Sequence, residues 1–329
     1  MLTIVEPSLK RPRTQILNAY EIFLLEKRGE SLPRDPELLP VSTLAILDLA
    51  GRPGVENFID LTPNLLRAYR AQLAEAPTKR GTPRAGESLL SAHRAVKSFL
   101  RWAAEEEHSI DPRLLTLKRP RVEMKEMPIL HVDQIRGILQ ACSTPQQNLM
   151  VRTLIGSGIR ASELCGLGMT GTDGLPDVIT ETVDPGRAEL RIRWDGGAKG
   201  QKARRIPIGA KLAVNLRKYA LRGRPDVPFR NLLISHFGRP YTRAGITQAM
   251  QRIETKVGFK VHPHLFRHTW ATVCVQVGWN LELIRAAAGH SHYSSLMRYV
   301  RLSSERSLGA ARDWIEFIPG PFESLSNRY

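Results

Sequence analysis

Apolar positions recur at helical spacing along most of this 329-residue chain and alternate with polar ones in one region only. Steps of three and four predict helices near 14–28, 41–50, 62–75 and 87–105. The last is the most legible. Ala92, Val96, Phe99, Leu100 and Ala103 form its apolar face, with Arg94, Lys97 and Arg101 on the other side. From 108 to 130 the period is lost among prolines and charges, which predicts a boundary. Helical spacing returns at 132–141, 149–156, from Arg160 onward, and at 211–221, 242–257, 263–277 and 281–288. Alternation is confined to AELRIRW at 188–194 and KARRIPI at 202–208, read as two strands joined by the glycine-rich turn DGGAKGQ. Residues 170–187, rich in Gly, Asp, Pro and Thr, read as a loop insertion. The expected architecture is mainly α with a small β-hairpin. It comprises a flexible basic tail (1–15), a helical domain (16–117), a linker (118–130) and a mixed α/β domain with a tail helix (131–329).

Charge changes this picture more than composition does. The net charge is +16, and it is unevenly spread. Residues 1–118 carry 17 Lys/Arg against 15 Asp/Glu, whereas 119–329 carry 31 against 17. A basic field concentrated in one part implies a polyanion, by default nucleic acid. The segment 187–224, with 12 Lys/Arg and two acids, is its densest part. Lys202 and Arg204 there, with Arg94, Lys97 and Arg101, are the expected phosphate or base contacts. Cys142, Cys165 and Cys274 stand singly among apolar neighbours, without zinc spacing, and predict buried thiols in a reducing cytosol. No apolar run approaches the ~20 residues of a membrane span, and IFLL at 22–25 is too short for a signal segment.

The candidate chemistry gathers between His262 and Tyr299. Pro263 suits a first helical turn, and His264 and Arg267, three apart, share one face. Phe266, Trp270, Val273 and Val277 fall on the opposite face, so the helix is expected to be amphipathic, with an anion-favouring amino end. Leu281, Ile284 and Ala288 form a second short stripe that Gly289 ends. His290 follows, and Tyr299 comes nine residues later. One continuous helix would put those two on opposite sides. A break with a new N-cap at Ser294 or Ser295 would instead place Tyr299 on a separate short helix, able to swing relative to His290.

The run His-x-x-Arg at 264–267, Gly-His at 289–290 and Tyr299 resembles the carboxy-terminal box of the tyrosine site-specific recombinases, the phage-type integrases. GIRASEL at 158–164 resembles that family's first box, G-x-R-x-S-E-L. AKGQKARR at 198–205 resembles its lysine hairpin, with alanine where the family has glycine before the lysine. The first 120 residues resemble the family's helical core-binding domain in layout only. The resemblance implies a catalytic set of Arg160, Lys199, His264, Arg267, His290 and Tyr299, with Glu163 holding the site together and Lys202 as a competing lysine. Tyr299 would attack a phosphodiester and remain on the DNA 3′ phosphate. The two arginines would hold the non-bridging oxygens. His264 would accept the tyrosine proton, Lys199 would protonate the leaving 5′ oxygen, and His290 would bond the phosphate or the tyrosine.

No metal or other cofactor is required by that chemistry, and no P-loop is present. The implied partners are duplex DNA carrying specific sites and further copies of the chain, expected as a tetramer on DNA, with accessory proteins compatible. A cytoplasmic, nucleoid-associated protein of bacterial, phage or mobile-element origin follows from the same resemblance. A type IB topoisomerase shares the chemistry, and a DNA-binding regulator with an inactive site is the reading from another class. Leu308, Ala311, Trp314, Ile315 and Ile318 predict a last helix. It either packs on its own domain or docks on a neighbouring protomer, and the resemblance favours docking.

Overall fold

The computed structural model describes residues 14–28, 41–76, 86–122, 128–171, 173–180, 188–193 and 203–290, with Tyr293, Leu296, Met297, Tyr299, Val300, Trp314, Phe317 and Ile318. The chain divides into two compact units, 1–126 and 127–329.

The first unit contains α1 (Gln15–Arg28), α2 (Val41–Ala50), α3 (Pro63–Glu75), α4 (Gly86–Glu105) and the short α5 (Pro112–Thr116). Its core is aromatic. Tyr20 and Phe23 of α1 meet Phe99 of α4 edge-on at 5.2 and 5.6 Å, and Phe58 lies 5.7 Å from Phe99. The Trp102 indole N–H donates to Glu26 at 2.8 Å, so the ring is buried without stranding its polar atom. Thr62 caps α3, accepting the Leu65 N–H at 3.2 Å, ahead of Pro63 in the first turn. α5 falls within the segment expected to be aperiodic. Asp111 caps it and Leu114 is fully buried, so this short turn belongs to the first unit's core.

The second unit runs α6 (Val132–Ala141), α7 (Pro145–Ser157), α8 (Ala161–Gly166), β1 (Val178–Thr180), β2 (Ala188–Ile192), β3 (Arg204–Ile208), α9 (Ala210–Lys218), α10 (Arg243–Val257), α11 (Pro263–Gln276) and α12 (Leu281–Ala288). α9 continues into one π-helical turn, Tyr219–Gly223. The strands form an antiparallel sheet in the order β1-β2-β3, with Leu190 opposite Ile206 and Ala188 opposite Ile208. β1 corrects the expectation of a loop across 170–187. The described part of that segment adds a third strand, and Asp177 pins it, accepting the Gly168 N–H at 2.7 Å and facing Arg193 Nε at 2.9 Å. No described helix is long and apolar enough to cross a membrane.

α11 also departs from expectation. It is buried on nearly every side, from Leu265 through Cys274, and not on one stripe. Thr269 and Thr272 can be buried because each hydroxyl donates to the carbonyl four residues earlier, at 2.9 and 3.0 Å. The chain's end differs as well. Trp314, Phe317 and Ile318 are buried in this unit's own core, where trans docking was expected. The rest of the predicted last helix, the residue 1–13 part of the basic tail and the proposed caps at Ser294 and Ser295 lie outside the described residues.

α7 packs on α11 and stops at Gly158, whose φ of +62° is left-handed. A β-carbon there would stand 2.3 Å from the Trp270 ring, so glycine is needed twice over. The Gly158 carbonyl also accepts from Arg267 at 2.8 Å. Gly158→Ala is expected to lower unfolding free energy by roughly 2–4 kcal/mol in urea titrations, from left-handed strain plus overpacking.

Candidate active site

Three guanidinium groups converge on the carboxyl end of α12. The Ala287 carbonyl accepts from Arg204 Nε at 2.6 Å, the Ala288 carbonyl from Arg267, and the Gly289 carbonyl from Arg160 Nη2 at 3.4 Å. A helix end carries unpaired carbonyls and the negative end of the dipole, so it attracts cations. Gly289, at φ +64°, ends the helix and leaves room for Arg204, whose guanidinium carbon would be 3.2 Å from any β-carbon there.

Glu163 is the counter-charge. Its carboxylate accepts from Arg160 Nη1 at 2.9 Å and from Arg204 Nη1 and Nη2 at 3.0 and 2.8 Å. It also accepts the Arg160 backbone N–H at 2.8 Å, reaching back from the third position of α8 to its N-cap. Burial pushes this carboxyl up, but the Arg204 hydrogen bonds and charge, with Arg160, outweigh burial and hold it below its usual value. Arg267 is 4% exposed. Burial, then the Arg160 charge, lowers it to about 10, so it stays a cation at neutral pH. The cluster therefore sets one carboxylate against three guanidiniums and remains cationic.

Tyr299 lies against this cluster. Leu296, Tyr299 and Val300 form a helical turn through the Tyr299 and Val300 N–H groups, which donate to the Leu296 carbonyl at 2.8 and 3.2 Å. The Tyr299 ring is 3% exposed, its centroid 5.9 Å from His268 and 6.3 Å from His290. Its hydroxyl is 3.0 Å from His268 Nδ1. His264, one turn earlier on α11, stacks on His268 at 6.4 Å. Burial, then the charges of Arg267, Arg160 and Arg204, lower His290 to about 4, so it is neutral at pH 7. Its Nδ1 is buried without a hydrogen-bond partner among the described residues. His264 is lowered too, by burial and then by Arg267. The amino end of α11, expected to favour an anion, is capped by His262, whose Nδ1 accepts the Leu265 N–H at 3.2 Å.

The fold thus brings Arg160, Glu163, Arg267, His290 and Tyr299 together, with His264 on the flank. Lys199 and Lys202 lie outside the described residues. Arg204 corrects its expected role as a surface DNA contact. It shares the inner side of β3 with Ile206 and Ile208, and its side chain is 9% exposed. KARRIPI carried that signal, since alternation puts 204 on the face of the two isoleucines. His268 was missed as well, although it stands four residues after His264 and so on the same face. In the first unit, Arg94 and Arg101 are exposed, and Arg94 Nη1 is 3.5 Å from Glu87. Lys97 is turned toward the Leu117 carbonyl at 3.4 Å. A cleft of about 790 Å³ there has an apolar floor that includes Leu66, Leu89 and Val96, and Arg67, Arg70, Arg113, Lys118, Arg119 and Arg121 also line it. Burial, then Arg70, Lys97 and Arg94, lower His93 beside it to about 4.

Glu163→Gln removes the only carboxylate that the described residues give this cluster while keeping its shape. Breaking a buried pair from one side costs roughly 3–5 kcal/mol, and urea unfolding at pH 7 should show a loss of that order. Because the folded carboxyl is lowered, its stabilisation is present above the ordinary value of 4.5 and is lost as pH falls through the folded value. The wild-type advantage over Glu163→Gln should therefore shrink on acidification below that point.

Comparison with known proteins gives the family and the fold. The sequence model of the Phage integrase family matches residues 128–306. The tyrosine recombinase XerC of Mycobacterium sp. (strain KMS) is 28% identical over 310 residues, covering 88% of this chain and 95% of that protein. The Tn1549 transposon integrase, solved in complex with transposon right end DNA, has the same fold (TM-score 0.63, 18% identity, 91% of this chain and 98% of that one). So does a lambda integrase fragment solved as a dimer on a core site (TM-score 0.63, 17% identity, 88% and 95%). With more than half its length matched, this chain belongs to the phage integrase family of tyrosine recombinases.

Proposed function

We propose that this chain is a site-specific DNA recombinase that cuts and rejoins duplex DNA through a 3′-phosphotyrosine intermediate. The observation that carries the reading is the packing of Tyr299 beside a buried cluster of three arginines and a neutral His290. A phosphodiester under attack gains negative charge on its non-bridging oxygens. Fixed guanidiniums in a dry pocket stabilise that charge without reorganising. Arg160 and Arg267 are the phosphate-binding pair, each held by a main-chain carbonyl that fixes its plane. Arg204 acts from behind, sharing Glu163 with Arg160. His290 Nδ1 supplies a hydrogen bond that a phosphate oxygen would complete. Lys199 is assigned the proton for the leaving 5′ oxygen. Because the phosphotyrosine conserves the phosphodiester bond energy, the free 5′ hydroxyl of another strand can reverse the step.

The basic cleft of the first unit, with the exposed Arg94 and Arg101, supports a second grip on the DNA backbone. Recombination of two duplexes needs four cleavages, so a tetramer on paired sites in the cytoplasm is the working assembly. Mobile-element DNA is one source of such sites.

Two experiments test the reading. Tyr299→Phe should abolish the covalent protein–DNA adduct on denaturing gels while DNA binding persists. Tyr293→Phe should cleave nearly normally, because that ring is half exposed and its hydroxyl bonds Glu282 under the Arg285 guanidinium. An adduct on Tyr299→Phe would refute the assignment. Separately, Lys199→Ala should be slow on ordinary DNA yet recover on a 5′-bridging phosphorothiolate, whose thiolate leaves without a proton. Recovery of Lys202→Ala in its place would move the role to Lys202.

A further inference from the structure

The proton of Tyr299 needs a destination, and the structure offers one that the boxes of the sequence do not include. His268 follows Arg267 directly and stands one turn beyond His264 on α11. Its Nδ1 is 3.0 Å from the Tyr299 hydroxyl, and its ring lies 5.9 Å from the phenol ring. The helix beneath it is rigid. The Thr269 hydroxyl bridges the Leu130 N–H and the Leu265 carbonyl at 2.9 Å each, and the His268 carbonyl accepts from Thr272 at 3.0 Å. A base held this way keeps its geometry toward the Tyr299 hydroxyl. The two rival imidazoles are less suited. His290 sits among the Arg160, Arg204 and Arg267 charges, which oppose a further positive charge on it. His264 lies a turn away, and Arg267 and Arg160 oppose a positive charge on it too.

We propose that His268 is a catalytic residue, the general base that takes the phenolic proton of Tyr299 as strand cleavage begins. The proposal rests on the recombinase reading above. In the step, the Tyr299 oxygen forms a bond to phosphorus and its proton passes to His268 Nδ1. The bond from phosphorus to the 5′ oxygen breaks, and that oxygen takes a proton from the general acid. On rejoining, a 5′ hydroxyl attacks the phosphotyrosine, its proton returns to the acid, and the leaving phenolate recovers its own from the His268 imidazolium. Atoms and charge balance in both directions. The imidazolium persists through the phosphotyrosine intermediate and is discharged when the phenolate leaves on rejoining.

The test uses the full-length chain and a nicked suicide substrate in single-turnover cleavage. His268→Ala and His268→Asn should bind DNA as the wild type does and form adduct roughly 100-fold more slowly or worse, the usual yield of a general base. Asparagine places a hydrogen-bonding atom near Nδ1 but cannot take a proton, so it separates holding from proton transfer. The 5′-bridging phosphorothiolate should not rescue either variant, in contrast to Lys199→Ala, because help for the leaving group does not deprotonate the nucleophile. A difluorotyrosine at 299, with its more acidic phenol, should restore much of the rate of His268→Asn. Wild-type cleavage by His268→Asn, or rescue of either variant by the phosphorothiolate, would overturn the proposal. So would a defect in His268→Asn that the acidic phenol leaves untouched. An adduct on Tyr299→Phe would instead count against the active-site reading itself, so the two failures are distinguishable.

Discussion

The carboxyl end of α12 is the constraint on which the second unit depends. Three successive carbonyls, Ala287, Ala288 and Gly289, each accept a hydrogen bond from a different arginine. Those arginines come from β3, α11 and the N-cap of α8, so one short helix end ties a strand and two helices together. The carbonyls would be unsatisfied at any buried helix end. Two of the guanidiniums that satisfy them, those of Arg160 and Arg267, are the pair proposed above to bind the phosphate. On that proposal, capping and phosphate binding draw on the same two guanidiniums, and neither can be altered alone.

Glu163 makes this arrangement tolerable. Three guanidiniums this close repel one another, and the lowering of Arg267 to about 10 records both burial and that repulsion. One carboxylate, held below its usual value, offsets part of the repulsion but not all of it. The pocket that remains is cationic, buried and preorganised, and a phosphate is the group that would complete its balance. The same field keeps His290 neutral at pH 7, so it can share a hydrogen bond with the phosphate without adding to the charge.

Much of this was legible in the chain because spacing carries it. The helices of both units other than α5, the pairing of β2 with β3, and Arg160, Glu163, Arg267, His290 and Tyr299 follow from periodicity or from the matched boxes. What escaped did so for physical reasons. Arg204 was read as a DNA contact because the segment 187–224 is so basic, yet strand alternation assigns it to the inner face. Arg191 and Arg193 in the same segment are likewise drawn inward, by Asp173 and Asp177. β1 has three residues, too few to display a period. α11 looked two-faced because His264 and Arg267 were set against an apolar stripe, whereas Arg267 is itself buried on main-chain carbonyls and backbone hydrogen bonding lets Thr269 and Thr272 sit in the core. Nor can an apolar anchor such as Trp314 reveal from its residue type alone whose core it enters. In the structure it enters its own.

The position of Tyr299 carries the last step. Its ring is almost wholly buried between His268 and His290, beside the arginines. A nucleophile left in water would lose part of its reactivity to solvation, and one fixed on the long α11 could not reach a phosphate at varying depth. Placing it on a separate turn after Gly289 and His290, with its hydroxyl on His268, meets both demands. The phenol is hydrogen-bonded and buried, and the arginines beside it are held to the carbonyls at the end of α12. The placing of the arginines and of the tyrosine turn on either side of Gly289 therefore follows from where α12 ends.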